Sequence, residues 1–162
     1  MSPSNADALA PSDALVVFGI TGDLARKKIF PALYAMAKRG ALNVPVVGVA
    51  TSKLSPAALR ERVREAIKKS GGIDDRKAFD HLLSLLGYVS GNYNDPDTFT
   101  ALKAAMGDAR RPAHYLAIPP ALFEPVVKGL GAADLAAQGS DHEHSVFPLR
   151  QTNLHVQDRT AQ

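Results

Sequence analysis

A parallel α/β sheet with flanking helices is the fold the sequence predicts over residues 14–131, on three observations. Ala14-Leu15-Val16-Val17-Phe18 is an unbroken apolar run, the pattern of a strand buried on both faces. A glycine turn, Gly19-Ile20-Thr21-Gly22, joins that run directly to a helical pattern. Short apolar runs and amphipathic segments then alternate down the chain, which calls for parallel strands linked by right-handed crossovers.

The first helix is expected over residues 23–39, with Leu24, Ile29, Leu33 and Met36 apolar and Gly40 as its stop. Pro31 lies inside it and predicts a kink or local break, because proline has no N–H and crowds the preceding turn. Residues 44–49 form the second apolar run. Ser55-Pro56 opens the next helix, serine as cap and proline at the first helical position, with Leu59, Val63 and Ile67 at i+4 spacing. After Gly71-Gly72, Asp74 or Asp75 caps a helix that carries Phe79, Leu82, Leu83 and Leu86 on one face and stops at Gly87. Tyr88-Val89-Ser90 is a short third strand. Asp95-Pro96 opens a helix with Phe99, Leu102 and Met106, closed by Gly107. Residues 113–118 make the fourth strand, and Pro119-Pro120 leads into a helix with Leu122, Val126, Val127 and Leu130. No strand pattern follows it, so the fourth strand is expected to present an unpaired edge.

Residues 1–13 are small and polar and are expected to be a disordered lead. Residues 132–162 are rich in Gln, Asp, His and Ser and are expected to be a disordered tail or a poorly docked extension. The chain's 162 residues are enough for one domain. It has no cysteine, hence no disulfide framework and no thiolate metal site. No apolar run reaches the roughly 18 residues that span a membrane, and a cytoplasmic location is the simplest expectation. The net charge of +3 comes without a basic stripe interleaved with aromatics, which speaks against nucleic-acid binding.

The chemistry sits in Gly19-Ile20-Thr21-Gly22-Asp23-Leu24-Ala25-Arg26-Lys27-Lys28. Gly19 permits the tight turn out of the strand, and Gly22 lets backbone approach a pyrophosphate. The first N–H groups of the helix point at an anion that its dipole favours. The spacing is G-x-x-G rather than G-x-G-x-x-G, and glycines at such a turn are also often only structural. Asp23 reads as an N-cap or first-turn acid. Between Asp23 and Glu61 there is no acidic residue, while the second strand ends in Ala50-Thr51-Ser52-Lys53. Two hydroxyls and an ammonium at that place suit a 2′-phosphate, where an NAD site would carry a carboxylate. A solvated turn ahead of a helix would read the same way.

With these residues in view, the sequence resembles the coenzyme domain of glucose-6-phosphate dehydrogenases. The family's first turn is close to G-A-S-G-D-L-A-K-K-K-I-Y-P, against residues 19–31 here. Val47-Gly48-Val49-Ala50, Tyr88-Val89-Ser90-Gly91-Asn92-Tyr93 and Tyr115-Leu116-Ala117-Ile118-Pro119-Pro120 with Leu122-Phe123 match in order. The resemblance covers about residues 14–131. It implies a Rossmann-like NADP-binding domain, incomplete relative to the family, in an enzyme of the oxidative pentose phosphate pathway that oxidises glucose 6-phosphate to 6-phosphogluconolactone. Gly19, Thr21, Gly22, Asp23 and Leu24 match the pyrophosphate loop, and Lys28 a lysine near cofactor and substrate. Thr51, Ser52 and Lys53 match the 2′-phosphate segment, where many members carry an arginine at the position of Thr51. Ala117, Ile118 and Pro119 match the strand end that lines the nicotinamide.

The family's Glu-Lys-Pro-Phe-Gly and Asp-His-Tyr-Leu-Gly-Lys segments, which hold substrate-binding and acid–base residues, are not found in this sequence. Asp141-His142 is followed by Glu143-His144-Ser145 and does not match the second of them. His142 and His144 read as a solvated tail rather than a metal site, and His81 and His114 as structural. No catalytic residue and no metal ligand is assigned. Three readings follow. The first is the coenzyme part of an NADP-dependent dehydrogenase, truncated or frame-changed after about residue 132 and without activity alone. The second is a non-catalytic nucleotide-binding or regulatory module. The third is a complete small reductase, for which no acid–base group stands out.

Overall fold

The computed structural model describes residues 12–135. Four five-residue strands build one sheet: β1 (Ala14–Phe18), β2 (Val46–Ala50), β3 (Leu86–Ser90) and β4 (Pro112–Leu116). All neighbours are parallel and the order is β3-β2-β1-β4. The helices are α1 (Phe30–Lys38), α2 (Pro56–Ser70), α3 (Arg76–Leu85), α4 (Pro96–Met106) and α5 (Phe123–Ala132). A π-helical turn, Ala25–Ile29, leads into α1, and a 3₁₀ turn, Pro120–Leu122, leads into α5.

The parallel sheet follows from the apolar runs. Every residue of β2 is buried, and all of β1 but Leu15. Side chains alternate across the pleat. Val17, Val46 and Ala50 face one layer with Phe30, Leu33, Leu59, Val63, Phe79 and Leu82 of α1, α2 and α3. Val16, Phe18, Val47 and Val49 face the other, with Phe99, Leu102, Val126 and Leu130 of α4 and α5. The result is a three-layer α/β/α sandwich, Rossmann-like as the sequence predicts. Among the described residues β4 pairs with β1 alone, so its outer edge carries no strand.

Some boundaries differ from the sequence reading for identifiable reasons. The local break expected at Pro31 is the π turn. The Phe30 N–H reaches back to the Ala25 carbonyl, one residue further than in an α-helix, and the α-geometry starts with Pro31 in its first turn, where no N–H is needed. Leu86 and Gly87 do not end a helix. They open β3, opposite Val46 and Val47, because ladder bonds to β2 outweigh the helical periodicity of Leu86. Pro45 accepts the Leu15 N–H at 2.9 Å but stands outside β2.

Asp13, placed in the lead by the sequence, is tied down. Its carboxylate accepts the N–H groups of Arg110 and Arg111, each at 2.7 Å, at the start of β4. Leu135, placed in the tail, is buried against the α4–α5 layer. Residues 1–11 and 136–162, with Asp141, His142 and His144, lie outside the described residues.

Candidate functional site

In a parallel sheet the loops after the strands gather at one edge, and a crevice opens where consecutive strands leave a common strand in opposite directions. Here β2 lies on one side of β1 and β4 on the other, so that point is between β1 and β4. The loop that starts at Gly19 occupies it.

Gly19 has φ +85°, and a Cβ there would stand 2.2 Å from the Ala117 carbonyl oxygen and 2.8 Å from Ile118 Cγ2. No side chain fits, and the first loop lies directly on the end of β4. The Gly19 N–H donates to Val49 at 2.7 Å, and the Ala117 N–H donates to Phe18 at 2.9 Å. Gly48 makes room in turn for Ile20, whose Cδ1 lies 2.4 Å from where a Cβ would be. Gly22 is different. It is exposed, its φ is ordinary, and the nearest atom to a Cβ is the Gly19 oxygen at 3.4 Å. Packing within the protein therefore does not itself exclude a Cβ at Gly22.

At the start of the first helix the Arg26 N–H bonds back to Gly22 at 3.2 Å. The N–H groups of Asp23, Leu24 and Ala25 lie ahead of that bond, where helix starts leave donors without internal partners. The Asp23 side chain makes no cap bond. Its carboxylate accepts from Arg26 Nη2 at 2.6 Å, just ahead of the π turn.

Of the residues singled out from the sequence, the structure brings three groups together. Gly19 and Thr21 to Leu24 form the loop, and Ala117 and Ile118 lie under Gly19, with Pro119 exposed just beyond. Thr21 Oγ1 and Ser52 Oγ are 3.4 Å apart across the ends of β1 and β2. Thr51 and Lys53 are exposed, as is Lys28 on the π turn.

Four residues that sequence reasoning missed stand at the same place. A cleft of about 350 Å³ lies between the Thr21-Gly22 turn and α2, walled by Arg62, Glu65 and Lys69 of α2 and by Arg26. Arg62 Nη1 donates to the Thr21 carbonyl at 3.2 Å. The Tyr88 hydroxyl donates to the Ser52 carbonyl from β3. Burial raises the Tyr88 pKa, and the nearby Arg62 charge works against that rise. The legible signal was on α2: Arg62, Glu65 and Lys69 stand at i, i+3 and i+7 beside the apolar stripe of Leu59, Val63 and Ile67.

The model of the glucose-6-phosphate dehydrogenase NAD-binding domain matches residues 16–146 of this chain. The chain belongs to that family. It is similar to glucose-6-phosphate 1-dehydrogenase 1 of Mycobacterium tuberculosis, 44% identical over 119 residues, which cover 74% of this chain and 25% of that protein. It is similar to the cytoplasmic glucose-6-phosphate 1-dehydrogenase 6 of Arabidopsis thaliana, 35% identical over 129 residues, 71% of this chain and 25% of that one. The crystal structure of glucose-6-phosphate 1-dehydrogenase from Mycobacterium avium superposes with a TM-score of 0.72 at 47% identity, over 77% of this chain and 28% of that chain. A glucose-6-phosphate dehydrogenase in complex with glucose 6-phosphate superposes with a TM-score of 0.68 at 32% identity.

The chain thus spans about a quarter of the length of the curated relatives it matches. As a member of this family its domain is a nucleotide-binding one of NAD or NADP type. The family match runs past residue 131, where the resemblance read from motifs stopped. No helix among the described residues is long and apolar enough to cross a membrane.

Proposed function

We propose that residues 14–131 bind NADP and serve as the coenzyme domain of a glucose-6-phosphate dehydrogenase. The observation that carries the reading is the crevice between β1 and β4, where Gly19 lies against Ala117 without room for a side chain. A pyrophosphate fits the open backbone at Gly22 and the helix N–H groups of Asp23, Leu24 and Ala25. Thr21, Thr51, Ser52 and Lys53 hold the 2′-phosphate side, and Ala117, Ile118 and Pro119 line the nicotinamide side. Lys28 stands toward the substrate. When bound, the nicotinamide is the hydride acceptor. The protein's part is to orient it and to offer fixed N–H dipoles to the phosphates. Glucose 6-phosphate is the proposed substrate of the activity this domain serves, and a cytoplasmic location, as in the plant relative's name, belongs to the same proposal.

The test is calorimetric titration of NADP into the 162-residue chain and into Gly22→Val. A Cβ at Gly22 makes only an ordinary contact with the Gly19 oxygen, at 3.4 Å, so the variant should fold, while its branched Cβ blocks an approaching phosphate. The expected result is a loss of at least about tenfold in affinity, the scale of one hydrogen bond to a charged group. Equal affinity in the two proteins, with matching thermal melts, removes this loop from the site.

A further inference from the structure

Resting on that coenzyme reading, we propose that Arg62, on the second turn of α2, is the principal cation that selects a 2′-phosphorylated coenzyme. Three elements converge on one point beyond the ends of β1 and β2. Thr21 and Ser52 bring their hydroxyls to 3.4 Å of each other. Tyr88 holds the Ser52 backbone from below through its hydroxyl. Arg62 reaches over from α2 and gives one N–H to the Thr21 carbonyl at 3.2 Å.

A guanidinium has several N–H donors in a planar fork, and this bond uses only one of them. Arg62 has no ion pair among the described residues. Its helix neighbour Arg64 pairs with Glu61 at 3.3 Å, and Arg26 pairs with Asp23 at 2.6 Å. Two hydroxyls beside a guanidinium whose charge is not neutralised is donor chemistry for a phosphate monoester dianion. The opposing charges lining the cleft are Asp23, paired with Arg26, and Glu65, one turn along α2 from Arg62, with Lys69 a further turn on.

Lys53, the cation expected from the sequence, has a different place. It is exposed, does not wall the cleft, and makes no hydrogen bond or ion pair among the described residues. A flexible ammonium in water contributes less than a fork already anchored to the loop.

The experiment measures dissociation constants of NADP and NAD for the full chain and for Arg62→Gln, Arg62→Lys and Lys53→Gln. Arg62→Gln should weaken NADP about ten- to a hundredfold, as expected for a lost charge-assisted bond, and leave NAD unchanged. Arg62→Lys should retain part of the preference, and Lys53→Gln should change it by less than Arg62→Gln. The pair 2′,5′-ADP and 5′-AMP should repeat the pattern without the nicotinamide. Equal weakening of NADP and NAD in Arg62→Gln would mean that Arg62 only braces the Thr21 carbonyl, and overturns the proposal. So would an unchanged NADP affinity, or a larger loss in Lys53→Gln. If the unmodified chain binds neither dinucleotide, the coenzyme reading itself falls, a result that the variants alone could not produce.

Discussion

His114 lies on β4 with none of its surface exposed, and its Nε2 is 2.9 Å from the Leu135 carbonyl oxygen. A carbonyl can only accept, so Nε2 carries the hydrogen and Nδ1 is the bare nitrogen. That nitrogen has no hydrogen-bond partner among the described residues. Burial pushes the His114 pKa below its ordinary 6.5, and the Leu135 bond opposes this in part. The folded chain therefore holds His114 neutral at a pH where the unfolded chain has begun to protonate it. Between the two pKa values the unfolded state binds more protons, so stability falls as pH drops below about 6.5. The slope from one such group is at most about 1.4 kcal/mol per pH unit. Urea denaturation at about pH 8 and about pH 5.5 should show this loss, and His114→Leu should remove most of the pH dependence while lowering stability at both. A variant with the parent's acid slope would assign the effect to other groups. Asp13 titrates in another window. Burial raises its pKa, but the Arg110 and Arg111 N–H groups outweigh that and hold it below 3.8, so its contribution is lost only in stronger acid.

The layer of α4 and α5 is built on a close approach. A Cβ on Gly129 would sit 2.2 Å from Phe99 Cε2 and 2.3 Å from Cζ. Phe99 is itself buried and packs on Phe18 of β1, with ring centres 6.2 Å apart, so the ring cannot swing away freely. Gly129→Ala should cost about 1–3 kcal/mol of stability despite alanine's better helix propensity, the usual penalty of an overpacked core. Phe99→Leu in the same chain should recover part of that loss, which a double-mutant cycle reads directly. A Gly129→Ala variant as stable as its parent would mean that α5 shifts at no cost. The apolar periodicity of both helices was legible in the sequence. Their contact through a glycine was not, because Gly129 reads equally well as a weak point in a helix.

At the scale of the whole molecule, the strand ends gather the proposed coenzyme site but, among the described residues, little proton-transfer chemistry. Asp23 is paired with Arg26, the Tyr88 hydroxyl is committed to Ser52, and Glu65 stands on the α2 side of the cleft. Tyr93, whose pKa burial pushes up to about 12, is enclosed among α4-side residues. None of these is a free base beside Ala117–Pro119, where the resemblance places the nicotinamide. Hydride transfer from a sugar carbon needs a base for the hydroxyl proton and a group that fixes the sugar. Base catalysis alone contributes about 10²–10⁴-fold, and positioning more. The 162-residue chain should therefore bind NADP yet turn over glucose 6-phosphate far more slowly than about one per second, followed by NADPH absorbance after host dehydrogenase is removed. Turnover at or above that rate would require a base that the described residues do not supply.

The local pattern of the sequence was enough for four strands, the helices between them, the parallel arrangement, and the glycine turn with its helix start. Each of these rests on interactions within a few residues: alternation across a pleat, an i+4 stripe, a proline at a first turn. The strand order β3-β2-β1-β4, which puts the crevice at Gly19 and Ala117, was settled only by tertiary packing. The same holds for the meeting of Thr21 with Ser52, thirty-one residues apart, and of Arg62 with Thr21, forty-one apart. In the sequence Lys53 directly follows the second strand, while Arg62 is one of three arginines, with Arg60 and Arg64, on the helix after it. They differ because α2 packs its Leu59, Val63 and Ile67 stripe into the core, which sets Arg62 against the Thr21 carbonyl while Lys53 is exposed. Periodicity records which face of a helix is buried. The direction in which its flanking side chains point is decided by what the buried face rests on.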